Sequence, residues 1–252
     1  MAKPKTKTTK RVAKNAVKPG KTRGLLVVGA FLAILGGGAV IYASIQNRPV
    51  DQPMAPLYAV SSAEHRSAKS HLSELEVRAD NYAPPTRYDS KSMPSWNDGD
   101  KNGCKTRDDI LARDLVKTEF KAGDKCKIVS GELFDYYIGE TILFDTNVSG
   151  GGIDVDHIVA KGDAWNSGGY RWDMVEWTGF ANDPEELIAV SASINRQKGD
   201  KNAAQWLPPN EEFQCRYVVN QLNIKYKYAL SVTDSEKMTM TNILRDNCII
   251  KN

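Results

Sequence analysis

Two short stretches of this chain carry the residue types from which a hydrolytic site could be built. The first is IDVDHIV, residues 153–159, which places Asp154, Asp156 and His157 within four positions. The chain has three histidines, and His157 is the only one after His71. As a β-strand the segment sets Asp154 and Asp156 on one face and His157 on the other, unless the strand ends or bends there. Two acids and an imidazole are costly to bury without partners, so a histidine that merely fills a core is the poorer explanation. An imidazole with an ordinary pKa of about 6.5 suits the work of a general base near neutrality.

The second stretch is ELIAVSASINRQKGDK, residues 186–201, where Asn195, Arg196, Lys198 and Asp200 follow an apolar run. A neutral amide oxygen beside two cations could serve an oxygen-preferring divalent ion and a phosphate. A solvated helix face accounts for the same residues equally well. Arg107, in CKTRDD, reads first as a structural partner of Asp108 or Asp109 and second as a phosphate clamp. Trp165, Trp172, Trp177 and Trp206 read as core residues in preference to base-stacking platforms, because large aromatics dominate cores.

The elements that must position these groups can be read from period and punctuation. CKTRDDILARDLVKTEF predicts a helix with Thr106 as its N-cap, and CKIVSGELFDYYIGETILF, punctuated by Gly131 and Gly139, predicts a β-hairpin. IDVDHIVA is the next strand. Near the C-terminus CRYVVNQLNIKYKYAL and TDSEKMTMTNILRDNC predict amphipathic helices, the second opened by a Thr233/Glu236 capping box. Helices and antiparallel strands come in separate groups, which predicts an α+β fold. The four cysteines, Cys104, Cys126, Cys215 and Cys248, form no C-x-x-C pair and have no second histidine nearby, so two disulfides in an exported domain are expected. Cys104–Cys126 and Cys215–Cys248 each bracket one local helical unit.

The N-terminal region has a different character. Residues 1–23 carry nine Lys/Arg and no acid, leaving 25 basic against 31 acidic residues in the remainder, a body near −6 inside a chain of net +3. Residues 24–45 contain no charged side chain and match the ~20 residues a helix needs to cross a bilayer. They read as a retained membrane span, with a cleaved signal peptide and a secreted product as the alternative. The positive tail places residues 1–23 in the cytoplasm and the body outside; the competing view of the tail is a nucleic-acid-binding arm. Residues 46–70, with Pro49, Pro53 and Pro56, read as a linker, and residues 71–252 as the folded domain.

Taken together, VDHIVAKGDAW, FANDPEEL and INRQKGD, with NGCKTRDDILARDL, SGELFDYYIG and WLPPN in the same order, resemble the HNH endonuclease superfamily. The nearest branch is typified by the C-terminal nuclease domain of GmrSD-type restriction enzymes. The resemblance covers roughly residues 72–248. It implies a ββα-metal core with additional helices and a β-hairpin, and hydrolysis of DNA, with RNA as a further candidate. It also implies roles. His157 would be the general base, Asp156 and Asn195 the metal ligands, and Arg196, Lys198 and Arg107 phosphate contacts, with Asp154 in support. Oxygen ligands of this kind suit Mg²⁺ or Mn²⁺. The chain departs from the pattern where an Asn usually stands directly before the Leu: here the residue is Glu186, and either Asn182, four positions earlier, takes its place or Glu186 adds a carboxylate near the metal.

A body near −6 cannot supply DNA affinity globally, so binding must rest on a local strip, with Arg171, Arg196, Lys198, Lys201, Arg216, Lys225 and Lys227 as candidates. No helix-turn-helix or finger pattern is present, so little sequence specificity is expected. The expectation is thus a membrane-anchored, outward-facing, metal-dependent nuclease. Its rivals are a non-catalytic receptor for DNA uptake and an exported toxin or defence nuclease.

Overall fold

A computed structural model of the chain describes residues 58–147, 152–248 and 250–251. The chain opens with strand β1 (Val60–Ser61), helix α1 (Ser62–Glu74) and strand β2 (Val77–Arg78). After a long irregular stretch come α2 (Thr106–Asp114), β3 (Leu115–Phe120), β4 (Ile128–Asp135) and β5 (Glu140–Asp145). The central segment holds β6 (Ile153–His157), α3 (Lys161–Asn166), α4 (Met174–Ala181), β7 (Leu187–Ser191) and α5 (Ala192–Lys198). The chain closes with α6 (Glu211–Lys227), β8 (Val232–Thr233), α7 (Asp234–Asp246) and β9 (Ile250–Lys251). Helices with small sheets, the two larger of them antiparallel, are compatible with the α+β class.

β3, β4 and β5 form an antiparallel three-stranded sheet, and β6 pairs antiparallel with β7 from Ile153 opposite Ser191 to His157 opposite Leu187. α5 follows β7 with no intervening loop. Two-residue parallel pairings, β1 with β9 and β2 with β8, tie the start of the described chain to its end.

Three apolar clusters sit between these layers. Leu72, Val218, Leu222, Met240 and Leu244 join α1, α6 and α7. Ile110, Leu111, Leu133, Val155 and Leu187 join α2 to β4, β6 and β7. Val159, Ala164, Trp177, Phe180 and Leu230 join α3 and α4 to the end of α6, with Trp165 and Trp172 packed alongside.

Several local signals act as the sequence predicts. The Thr233/Glu236 capping box opens α7, and Ser61/Glu64 and Asp173/Glu176 do the same for α1 and α4. The β4–β5 hairpin turns at Gly139, where φ is +72°, a value L side chains rarely adopt; Gly131 lies inside β4 opposite Phe144. The disulfides Cys104–Cys126 and Cys215–Cys248 are both formed.

Three readings change. The helix expected across residues 104–120 stops at Asp114, and Leu115–Phe120 becomes β3, because pairing with β4 satisfies its backbone groups. Lys105, not Thr106, occupies the N-cap position, and the Thr106 hydroxyl instead donates to the Asn97 carbonyl at 3.1 Å. Residues 62–70, read as linker, belong to α1, whose buried Ala68 and Leu72 face α6 and α7. The basic tail (1–23) and the apolar run (24–45) lie outside the described residues; among the described residues no helix is long and apolar enough to cross a membrane.

Candidate functional site

β6 carries the acids and the histidine on opposite faces, as a two-residue period dictates. Toward α5, Asp156 accepts from the Lys198 ammonium at 2.9 Å through Oδ1 and from the Tyr137 hydroxyl at 2.8 Å through Oδ2. The Lys198 Nζ also donates to the His157 carbonyl at 2.6 Å, and the residue is 0% exposed. Asp154 meets Asn195, whose amide nitrogen donates to Oδ2 at 3.4 Å. Two carboxylates, one carboxamide and one ammonium therefore share the β6–α5 interface. Burial pushes the Asp156 carboxyl above its ordinary range, against the opposing pull of Lys198 and Tyr137.

The His157 ring points the other way. It lies nearly parallel to Trp96 (centroids 5.5 Å apart) and Phe180 (6.2 Å) and is only 7% exposed. Its Nε2 sits 3.1 Å from the Ala181 carbonyl. A carbonyl can only accept, so Nε2 carries the hydrogen and Nδ1 is the basic nitrogen. Desolvation, with the positive charge of Lys161 adding to it, lowers the imidazole to about 3, so the ring is neutral across the physiological range.

The middle of the motif is structural in its contacts. Glu186, fully buried, accepts the Val159 N–H at 3.0 and 3.2 Å through its two oxygens, while its own carbonyl accepts the Ile158 N–H at 2.8 Å. It thereby staples the start of β7 to the chain directly after His157. Burial drives its carboxyl well above the usual range. Asn182 accepts the Asn97 N–H at 3.0 Å and so holds the loop that presents Trp96 to His157. Arg107 is half-buried in the first turn of α2.

The expected basic strip is largely neutralised. Lys198 serves Asp156; Arg216 pairs with Glu64 at 2.6 Å; Lys227 pairs with Asp183 and Glu185 at 2.8 Å; Lys225 is enclosed between Asp163 and Glu236, each at 2.8 Å. Arg171, Arg196 and Lys201 are the strip members that remain exposed. Tyr137, Trp96, Phe180 and Lys161 complete the surroundings of the motif and were not singled out by sequence. Tyr137 lies in a hairpin turn and Trp96 in a turn-rich segment, where no spacing relates them to residues 156 and 157.

Residues 105–243 match the family described as the C-terminal domain of GmrSD restriction endonucleases. An uncharacterized secreted protein of Arthroderma benhamiae is 33% identical over 216 residues, covering 85% of this chain and 97% of that one. The chain belongs to the GmrSD C-terminal family. It is an HNH-type domain, as the ordered motif blocks implied, and its family points to a nuclease-like function. No solved structure matches it. The expected residence in the cell membrane is corrected by these findings. The relative that matches over nearly its whole length is described as secreted, and the two disulfides fit an extracellular location.

HNH domains typically use a divalent ion, and the donor set can be tested against one. Asp154, Asp156 and Asn195 offer oxygens of the kind Mg²⁺ and Mn²⁺ prefer. Among the described residues no three His, Cys, Asp or Glu side chains form a metal-holding group. A cation does stand in that environment: the Lys198 ammonium on Asp156. The chemistry of the cluster accommodates a cation: Asp156 already holds one, and Asp154 with Asn195 stands beside it on the same face of β6.

Proposed function

We propose that this domain is a secreted endonuclease that hydrolyses DNA phosphodiester bonds with little sequence specificity. The observation that carries the reading is the β6–β7–α5 unit, which gathers Asp154, Asp156, Asn195 and Lys198 at one interface and sets His157 at the end of the same strand, within a chain of the GmrSD C-terminal family. The succession of two antiparallel strands and a helix supports a ββα-metal core.

His157 takes the proton of the attacking water at Nδ1, while Ala181 holds Nε2–H and the flanking rings of Trp96 and Phe180 fix the imidazole plane. The ring is neutral at physiological pH, so Nδ1 has a free lone pair, but burial and Lys161 make it a weaker base than the ordinary imidazole that the sequence led one to expect. Glu186 and Asn182 hold the backbone on either side of the ring's surroundings. A divalent ion at Asp156 and Asn195, Mg²⁺ or Mn²⁺ by donor type, would supply charge compensation for the phosphate and the leaving 3′ oxygen. Exposed Arg196, with Arg107 on α2, orients the phosphate.

The test is to incubate the protein with supercoiled plasmid and Mg²⁺, with chelator in place of Mg²⁺, and as the His157→Ala variant. Relaxation and linearisation confined to the first tube are expected. Equal outcomes in all three would favour a non-catalytic nucleic-acid receptor.

A further inference from the structure

We propose that Lys198 is an internal counter-ion which a divalent metal must displace from Asp156, so that metal binding and release of the Lys198 ammonium are one event. This rests on the reading that the metal sits at Asp156 and Asn195. Asn195 and Lys198 lie three residues apart on α5 and meet Asp154 and Asp156, two residues apart on β6. Both oxygens of Asp156 are taken, Oδ1 by Lys198 at 2.9 Å and Oδ2 by Tyr137 at 2.8 Å. An oxygen-bound Mg²⁺ would lie about 2.0–2.1 Å from its ligand, inside the space the ammonium fills.

Two cations cannot share that position. Charges a few ångströms apart in a water-excluding interface repel strongly, and nothing at Asp156 is left to coordinate both. The flexible four-carbon stem of lysine lets the ammonium leave without moving α5.

The experiment uses the full chain and Mn²⁺ as the probe. Calorimetric titration should show Mn²⁺ binding about tenfold or more tightly to Lys198→Met than to the unaltered protein, the scale of one charge-assisted hydrogen bond. It should show no binding at the site in Asp156→Asn. Because Lys198→Met could fail to fold, a second measurement uses the unaltered protein alone. Amine acetylation read by mass spectrometry should rise several-fold at Lys198 when Mn²⁺ is added, while Lys225, equally enclosed but in a different ion pair, stays protected. Equal or weaker Mn²⁺ affinity in a folded Lys198→Met, or bound metal that leaves Lys198 as protected as Lys225, overturns the proposal. So does a protein that binds no Mn²⁺; His157-dependent cleavage in chelator would then leave the hydrolase reading standing while removing this one.

Discussion

Replacing Lys225 by Met removes the cation from between two buried carboxylates. Lys225 is 0% exposed and lies 2.8 Å from both Asp163 and Glu236. Asp163 keeps other partners, with the Ser167 hydroxyl at 3.1 Å and Arg78 at 3.4 Å. Glu236 keeps only its long capping contact with the Thr233 N–H, 3.3 Å away. The loss should therefore concentrate on Glu236. Breaking a buried pair from one side costs about 3–5 kcal/mol. For a domain of this size each kcal/mol shifts Tm by roughly 2–4 °C, so the expected fall is roughly 6–20 °C. Thermal unfolding followed by circular dichroism measures it. The sign with pH is also set. Burial raises Glu236, and without Lys225 the folded variant binds protons more readily than its unfolded chain. Its stability thus rises as pH falls, and the gap to the unaltered protein narrows between pH 7 and the ordinary carboxylate range. A second change, Glu236→Gln, should recover much of the loss, since the uncompensated charge is gone. A Tm within about 2 °C of the unaltered protein, or a double variant no better than Lys225→Met alone, would show that charge pairing is not what holds α3, α6 and α7 together.

Other expectations follow from the same contacts. His157→Ala should lower plasmid cleavage by about 10²–10⁴ while leaving the circular dichroism spectrum unchanged, the usual range for a lost general base; activity within a few-fold of the unaltered protein would remove His157 from that role. Gly162→Ala would drive a Cβ into the Asp200 side chain, so a loss of about 1–3 kcal/mol is expected from chemical denaturation, and a neutral result would mean that Asp200 moves freely. Burial tends to raise Glu64, but hydrogen bonds from Arg216 and Ser61 outweigh it and hold the carboxyl at about 2. Its stabilising contact is complete above pH ~4.5 and lost as pH falls toward 2, so the Tm difference between Glu64→Gln and the unaltered protein should vanish over that window. Reducing Cys104–Cys126 and Cys215–Cys248, which close separations of 22 and 33 residues, should cost about 3–4 kcal/mol each in the chain-entropy account. Unfolding midpoints unmoved by reductant would contradict it.

Much of the local plan was legible in residue order alone. The capping box at Thr233 and Glu236, the hairpin turning at Gly139, the disulfide pairs and the division of Asp154 and Asp156 from His157 all depend on spacings of a few residues or on chain-local loops. The family, too, was readable, because ordered motif blocks survive as strings. What the linear chain could not settle was the partner of each charge. Lys198, Lys225, Arg216 and Lys227 look identical to solvated cations in a sequence, and only packing reveals that acids from 11 to 152 positions away neutralise them. The split of the 104–120 segment into α2 and β3 has the same origin, since β3 exists through its pairing with β4. Periodicity and capping act along a few bonds of backbone and are written in composition, whereas desolvation and ion pairing depend on which distant surfaces close over a group. That closure set Lys198 on Asp156 and folded the imidazole of His157 between Trp96 and Phe180.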